Sequence, residues 1–83
     1  MSALIGNFGL GNQTIQTAAD LGDIARRQRQ LLGLKQVDLA GLAHTGNRFI
    51  VDLERGKPTL QLQMALDVLH LLGLEVTVRP RPL

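Results

Sequence analysis

Residues 36–55 read QVDLAGLAHTGNRFIVDLER, and their pattern decides the fold. Leu39, Ala40 and Ala43 share one face of a helix over about 35–43, and Ile50 and Leu53 share one face of a helix over about 47–55. Between them His44, Thr45 and Gly46 leave room only for a tight turn. The small side chain of Ala40 lets another helix cross close by. Two short helices joined in this way form a helix-turn-helix. The arc opposite Ile50 and Leu53 then carries Asn47, Arg48, Val51 and Asp52.

Toward the N-terminus, Thr17 followed by Asp20 three residues later predicts a capping box, with the acid favoured by the helix dipole. Leu21, Ile24, Ala25, Leu31 and Leu32 recur as a helical stripe over about 18–32, which Gly33 ends and Leu34 follows as an apolar hinge. Arg26, Arg27 and Arg29 on its polar side form either a solvated basic face or a set of phosphate contacts. Residues 1–16 read as a flexible arm, punctuated by Gly6, Gly9 and Gly11. Leu4, Ile5, Phe8 and Leu10 make it more apolar than a plain linker, so the arm either stays disordered or orders against a partner.

Toward the C-terminus, Gly56 stops the helix that began at Asn47, and Pro58 in the loop Lys57-Pro58-Thr59 denies its continuation. Leu62, Ala65, Leu66, Leu69 and Leu72 predict a fourth helix over about 60–72, capped by Gly73. There the period changes. Leu74, Val76 and Val78 alternate with Glu75, Thr77 and Arg79, the pattern of a strand over 74–79. A single strand needs a partner for its backbone donors and acceptors, and no second convincing strand exists in this chain. A symmetry mate supplying the same strand is the simplest solution. The expected fold is therefore mainly α: a four-helix helix-turn-helix domain over 17–79, with one C-terminal β-strand pairing across a homodimer. Residues 80–83 form an extended tail because Pro80 and Pro82 oppose helix and sheet alike.

Composition agrees with this reading. At 83 residues the chain is one small domain, which buries only about 60% of its unfolded surface. Without cysteine it has neither disulfides nor thiolate metal sites to help, which leaves oligomerisation. Two phenylalanines, with no tyrosine or tryptophan, make the core aliphatic. A net charge of +2 is a mild basic bias that permits nucleic acid without requiring it. No stretch approaches the roughly 20 apolar residues of a membrane span, and no secretory signal is evident. Ser2 is the only serine and no glycine-rich phosphate loop joins a strand to a helix, so catalysis is not expected and no cofactor is implied. His44 and His70 have no metal-ligand companions at suitable spacing.

A helix-turn-helix reads DNA by presenting the N-terminal residues of its second helix to base edges in the major groove. Arg grips guanine and Asn grips adenine bidentately, each worth about 1–3 kcal/mol of discrimination. Asn47, Arg48, Val51 and Asp52 are the candidates for base reading. For Asp52 the choice lies between accepting from cytosine and serving as a helix-surface acid. Lys35, Gln36, Arg55 and Lys57 are the candidates for phosphate contact.

The run GLKQVDLAGLAHTGNRFIVDLERGKPT resembles the phage-repressor or XRE type of helix-turn-helix, with Gln36, Leu39, Ala40, Ile50, Leu53, Glu54 and Gly56 where that pattern has them. Together with the following helix and the LEVTV strand, residues 18–79 are similar to the HipB-type antitoxins of bacterial toxin-antitoxin pairs. The resemblance implies that Gln36 clamps a phosphate, that Asn47, Arg48 and Val51 face bases, and that Arg29 and Glu54 form a buried ion pair. It also implies a cytoplasmic, nucleoid-associated repressor that binds a palindromic operator and neutralises a HipA-like kinase. An interaction module without DNA binding and a stand-alone phage-type regulator are the alternatives. His44 stands where the pattern has Gly, Gly46 where it has Ser or Thr, and Phe49 where a small polar residue is commoner. For Phe49 the choice is between the core edge and a base-methyl or partner contact.

Overall fold

The computed structural model describes residues 10–83. Four helices follow one another: α1 (Ala18–Leu31), α2 (Gln36–Ala43), α3 (Asn47–Glu54) and α4 (Leu62–Leu71). The expected helices are all present, with ends that differ by up to two residues. The largest difference is at α4, where Leu60 packs against the core ahead of the helix and Gln61 occupies the N-cap.

α1 starts as its sequence dictates. The Thr17 hydroxyl accepts the Asp20 N–H at 3.0 Å, while the Asp20 carboxylate accepts the N–H groups of Gln16 and Thr17 at 2.9 and 3.1 Å. These bonds, led by that from Gln16, hold the Asp20 carboxyl below the ordinary aspartate range.

All four helices end in one hydrogen-bond pattern, in which a residue of positive φ turns the chain and its own N–H and the next one close on the last turn. At α1, Gly33 donates to Gln30 and Leu34 to Arg29; at α3, Gly56 donates to Leu53 and Lys57 to Asp52; at α4, Gly73 donates to His70 and Leu74 to Leu69. At α2 the same bonds run from His44 to Gly41 and from Thr45 to Ala40, with histidine at φ 55° in the glycine's place. The expected turn thus forms without glycine.

The core joins Ala25 of α1, Leu39 and Ala40 of α2, Ile50 and Leu53 of α3, and Ala65, Val68 and Leu69 of α4 with Leu72. α1 packs chiefly on α3, α3 on α2, and α4 on α2. The crossing of α1 and α3 brings backbones together: a Cβ at Gly22 would stand 2.3 Å from the Leu53 carbonyl oxygen.

The apolar stripes differ from expectation in two places. In α4 the buried row is Ala65, Val68, Leu69 and Leu72, an i, i+3, i+4, i+7 set, and Leu62 is exposed. In α1 the position one turn beyond Ile24 and Ala25 is Gln28, which is buried, while Leu31 and Leu32 are exposed. Gln28 is held there by its Nε2, which donates to the Leu72 carbonyl at 2.9 Å and ties α1 to the end of α4, while its Oε1 has no partner among the described residues.

Residues 74–79 form no strand within the described chain, and none of them from Glu75 onward makes a backbone hydrogen bond there. Leu74 packs against the core, whereas Val78 is 97% exposed. Among the described residues there is no second strand, so the alternation has nothing there to pair with. Of the expected arm, residues 1–9 lie outside the described residues. Within 10–16, Gln13 accepts a bond from Arg27 at 3.4 Å. Among the described residues no helix is long and apolar enough to cross a membrane.

Candidate nucleic-acid interface

α3 begins at Gly46, whose extended backbone (φ −73°, ψ 153°) brings no side chain to cap the helix. Phe49 N–H donates to the Gly46 carbonyl at 3.1 Å, and the N–H groups of Asn47 and Arg48 are left for solvent or a ligand. Ile50 and Leu53 turn inward, and Phe49 packs against the edge of the core, the first of its two readings. Asn47 and Arg48 are exposed on the first turn, with Val51 half-buried one turn later on the same arc.

Asp52 has a different setting from its neighbours. Its side chain is only 13% exposed, and its two carboxylate oxygens face two cations: Oδ1 lies 3.2 Å from Arg48 Nε and Oδ2 lies 3.6 Å from Lys57 Nζ. Arg48 extends outward from this contact and is 77% exposed.

Behind the arc, three helices converge on Glu54. Arg29 of α1 donates through Nε and Nη2 to the two Glu54 oxygens at 2.6 and 3.0 Å, and through Nη1 to the Leu34 carbonyl at 2.8 Å. Gln36, the first residue of α2, adds a bond from Nε2 to Glu54 Oε1 at 3.1 Å. The pair is nearly buried, with side-chain exposures of 11% and 3%. One of the two Gln36 amide hydrogens is therefore committed to Glu54, leaving the other, together with the first-turn N–H groups of α2, to meet an anion. Lys35, at the N-cap of α2, and Arg55, after α3, are exposed.

No family model matches the chain. Over 64 residues, 77% of this chain and 84% of the relative, it is 48% identical to the "Uncharacterized HTH-type transcriptional regulator y4mF" of Sinorhizobium fredii (strain NBRC 101917 / NGR234). The chain belongs to the HTH-type transcriptional regulators.

In this HTH-type regulator the helix-turn-helix is α2, the turn through His44 to Gly46, and α3. The structure brings together Gln36 with Glu54 and Arg29, and Arg48 with Asp52 and Lys57. Of the arginines on the polar side of α1, Arg26 and Arg27 both pair with Asp23, so much of that basic face is neutralised within its own helix. The Arg48–Asp52 pair has the i, i+4 spacing that favours such contacts and was within reach of the sequence. The approach of Lys57 to Asp52 was not, because it depends on the chain reversing at Gly56. Nor could spacing reveal that Gln36 would bond to Glu54.

Proposed function

We propose that this regulator is a sequence-specific repressor that binds a palindromic operator as a homodimer, and that it is a HipB-like antitoxin repressing its own operon and neutralising a HipA-like kinase. In this reading Asn47, Arg48 and Val51 face bases, while Lys35, Gln36, Arg55 and Lys57 meet phosphates. The observation that carries the DNA-reading part is the exposed guanidinium of Arg48 on the first turn of α3, where this motif addresses base edges. Support for the homodimer comes from the alternating segment 74–79, whose edge is unpaired among the described residues and whose Val76 and Val78 are exposed. Support for the antitoxin part comes from the resemblance of residues 18–79 to that family.

The test is a footprint on the DNA upstream of the regulator's own gene, with wild type and Arg48→Ala side by side. Protection of two half-sites about one helical turn, or a multiple of it, apart is expected, and it weakens when Arg48 is truncated. Unchanged affinity and preference in Arg48→Ala would remove Arg48 from the base-reading set. The antitoxin reading is tested separately by co-purification with the product of the adjacent gene; an adjacent gene that encodes no kinase leaves a stand-alone regulator. The exposed apolar edge at 74–79 equally favours a second reading, an interaction module that holds a protein partner without DNA, and loss of all operator binding by wild type would select it.

A further inference from the structure

We infer that Asp52 is a positioning residue that sets the specificity of DNA reading by holding Arg48 and Lys57, and that it does not itself contact a base. The inference rests on the proposed base-reading role of Arg48. A carboxylate that reads cytosine must offer an oxygen to the groove. Both oxygens of Asp52 already face cations, and the side chain is 13% exposed where that of Arg48 is 77% exposed. The ion-pair contact of Arg48 Nε with Asp52 engages neither Nη1 nor Nη2, and those two nitrogens make the end-on bidentate grip on guanine O6 and N7. Asp52 therefore fixes the fork in the orientation the grip needs. An arginine without such a partner distributes over many rotamers and finds phosphates as readily as guanine.

The same carboxylate limits sequence-independent binding. Arg48, Asp52 and Lys57 together carry a formal charge of +1, and the Asp52 backbone carbonyl also accepts the Lys57 N–H at 3.0 Å, which keeps the loop against the helix. Without the carboxylate, two cations face the duplex unopposed. Nonspecific affinity then rises because more counterions are displaced from the phosphates. Asp52 thus costs affinity on every sequence and returns discrimination on the right one.

The experiment uses the full chain as wild type, Asp52→Asn, Arg48→Ala and the double variant. Each is titrated against the duplex that the wild type selects from a random pool and against a scrambled duplex of equal length, between 50 and 200 mM salt. For Asp52→Asn we expect several-fold tighter binding to the scrambled duplex, a salt slope steeper by up to about one, and a selected-to-scrambled ratio about tenfold lower. In the Arg48→Ala background the same change should leave the ratio unaltered. If Asp52→Asn shifts the ratio there too, Asp52 reads a base directly and the inference is overturned. If both duplexes lose affinity equally, the role is structural and the inference is again overturned. A wild type that discriminates, beside an Asp52→Asn that discriminates as well, overturns this inference alone; a wild type that binds both duplexes alike overturns the base-reading proposal and this inference with it. Should Asp52→Asn not fold, Lys57→Ala serves instead. It should weaken both duplexes alike, and a collapse of the ratio in Lys57→Ala would contradict the assignment of Arg48 as the residue Asp52 orients.

Discussion

Arg29 of α1 and Glu54 of α3 meet in a doubly hydrogen-bonded ion pair, at 2.6 and 3.0 Å, and the Gln36 amide of α2 closes on the same carboxylate at 3.1 Å. One side chain thereby sets the relative placement of all three helices around the candidate interface. Removing one partner leaves a nearly buried charge unopposed, so Arg29→Ala or Glu54→Ala should cost about 3–5 kcal/mol in urea unfolding. Replacing both at once, as Arg29→Met with Glu54→Leu, should recover much of that loss, because desolvation of the pair offsets most of its attraction. A double variant as unstable as the singles would contradict this account.

His44 occupies the left-handed region at φ 55° and ψ 41°, which costs an L-residue about 1–2 kcal/mol. Glycine there removes that strain and adds back about 0.4–1 kcal/mol of unfolded-state freedom. His44→Gly should therefore gain up to about 1.6 kcal/mol and raise the melting temperature by up to roughly 10 °C in a domain of this size. A lowered melting temperature would mean that the imidazole stabilises the turn.

Lys35, Arg55 and Lys57 are exposed cations around α2 and α3 and, as proposed phosphate contacts, carry no sequence information. Each change to alanine should weaken selected and unrelated duplexes by similar factors and reduce the salt slope by about one. Filter binding or fluorescence anisotropy over a salt series checks this. A variant that changes base preference instead would have to be moved to the reading set.

The proposed homodimer depends on residues 74–79. Size-exclusion chromatography with light scattering should give twice the 9.0 kDa of one chain. Val76→Pro should shift it toward monomer, since proline removes a ladder donor. Operator affinity should fall with it, because two half-sites then bind independently. A wild-type monomer would refute the shared strand.

The Asp20 carboxyl titrates below the ordinary aspartate range because the Gln16 N–H, and then the Thr17 groups, bond to its ionised form. Its folded pKa is depressed, so its contribution to stability is complete above the unfolded value of about 3.9 and disappears as pH falls through the folded pKa. The N-terminal turn of α1 should fray in that acid window, seen as loss of amide protection near Thr17 and Asp20 by NMR. Asp20→Asn should lose this pH dependence while retaining part of the cap.

The four helices and their ends were legible in the sequence because the interactions that set them span only three to five residues. The box at Thr17 and Asp20, the glycines after three helices and the turn through His44 are all local. The resemblance anticipated the meeting of Arg29 with Glu54, which no local spacing encodes. Where the two readings of Phe49 stood open, packing chose the core edge. The burial of Gln28, the exposure of Leu62, the bond from Gln36 to Glu54 and the approach of Lys57 to Asp52 were decided only in the tertiary structure. The bonds of Gln36 and Gln28 join residues 18 and 44 positions apart, and their geometry follows from helix crossings, such as the one Gly22 permits, rather than from any period along the chain. At residues 74–79 the alternation of the strand is written in the sequence, but a strand exists only when its backbone groups are paired, and the described residues of one chain supply no partner for them.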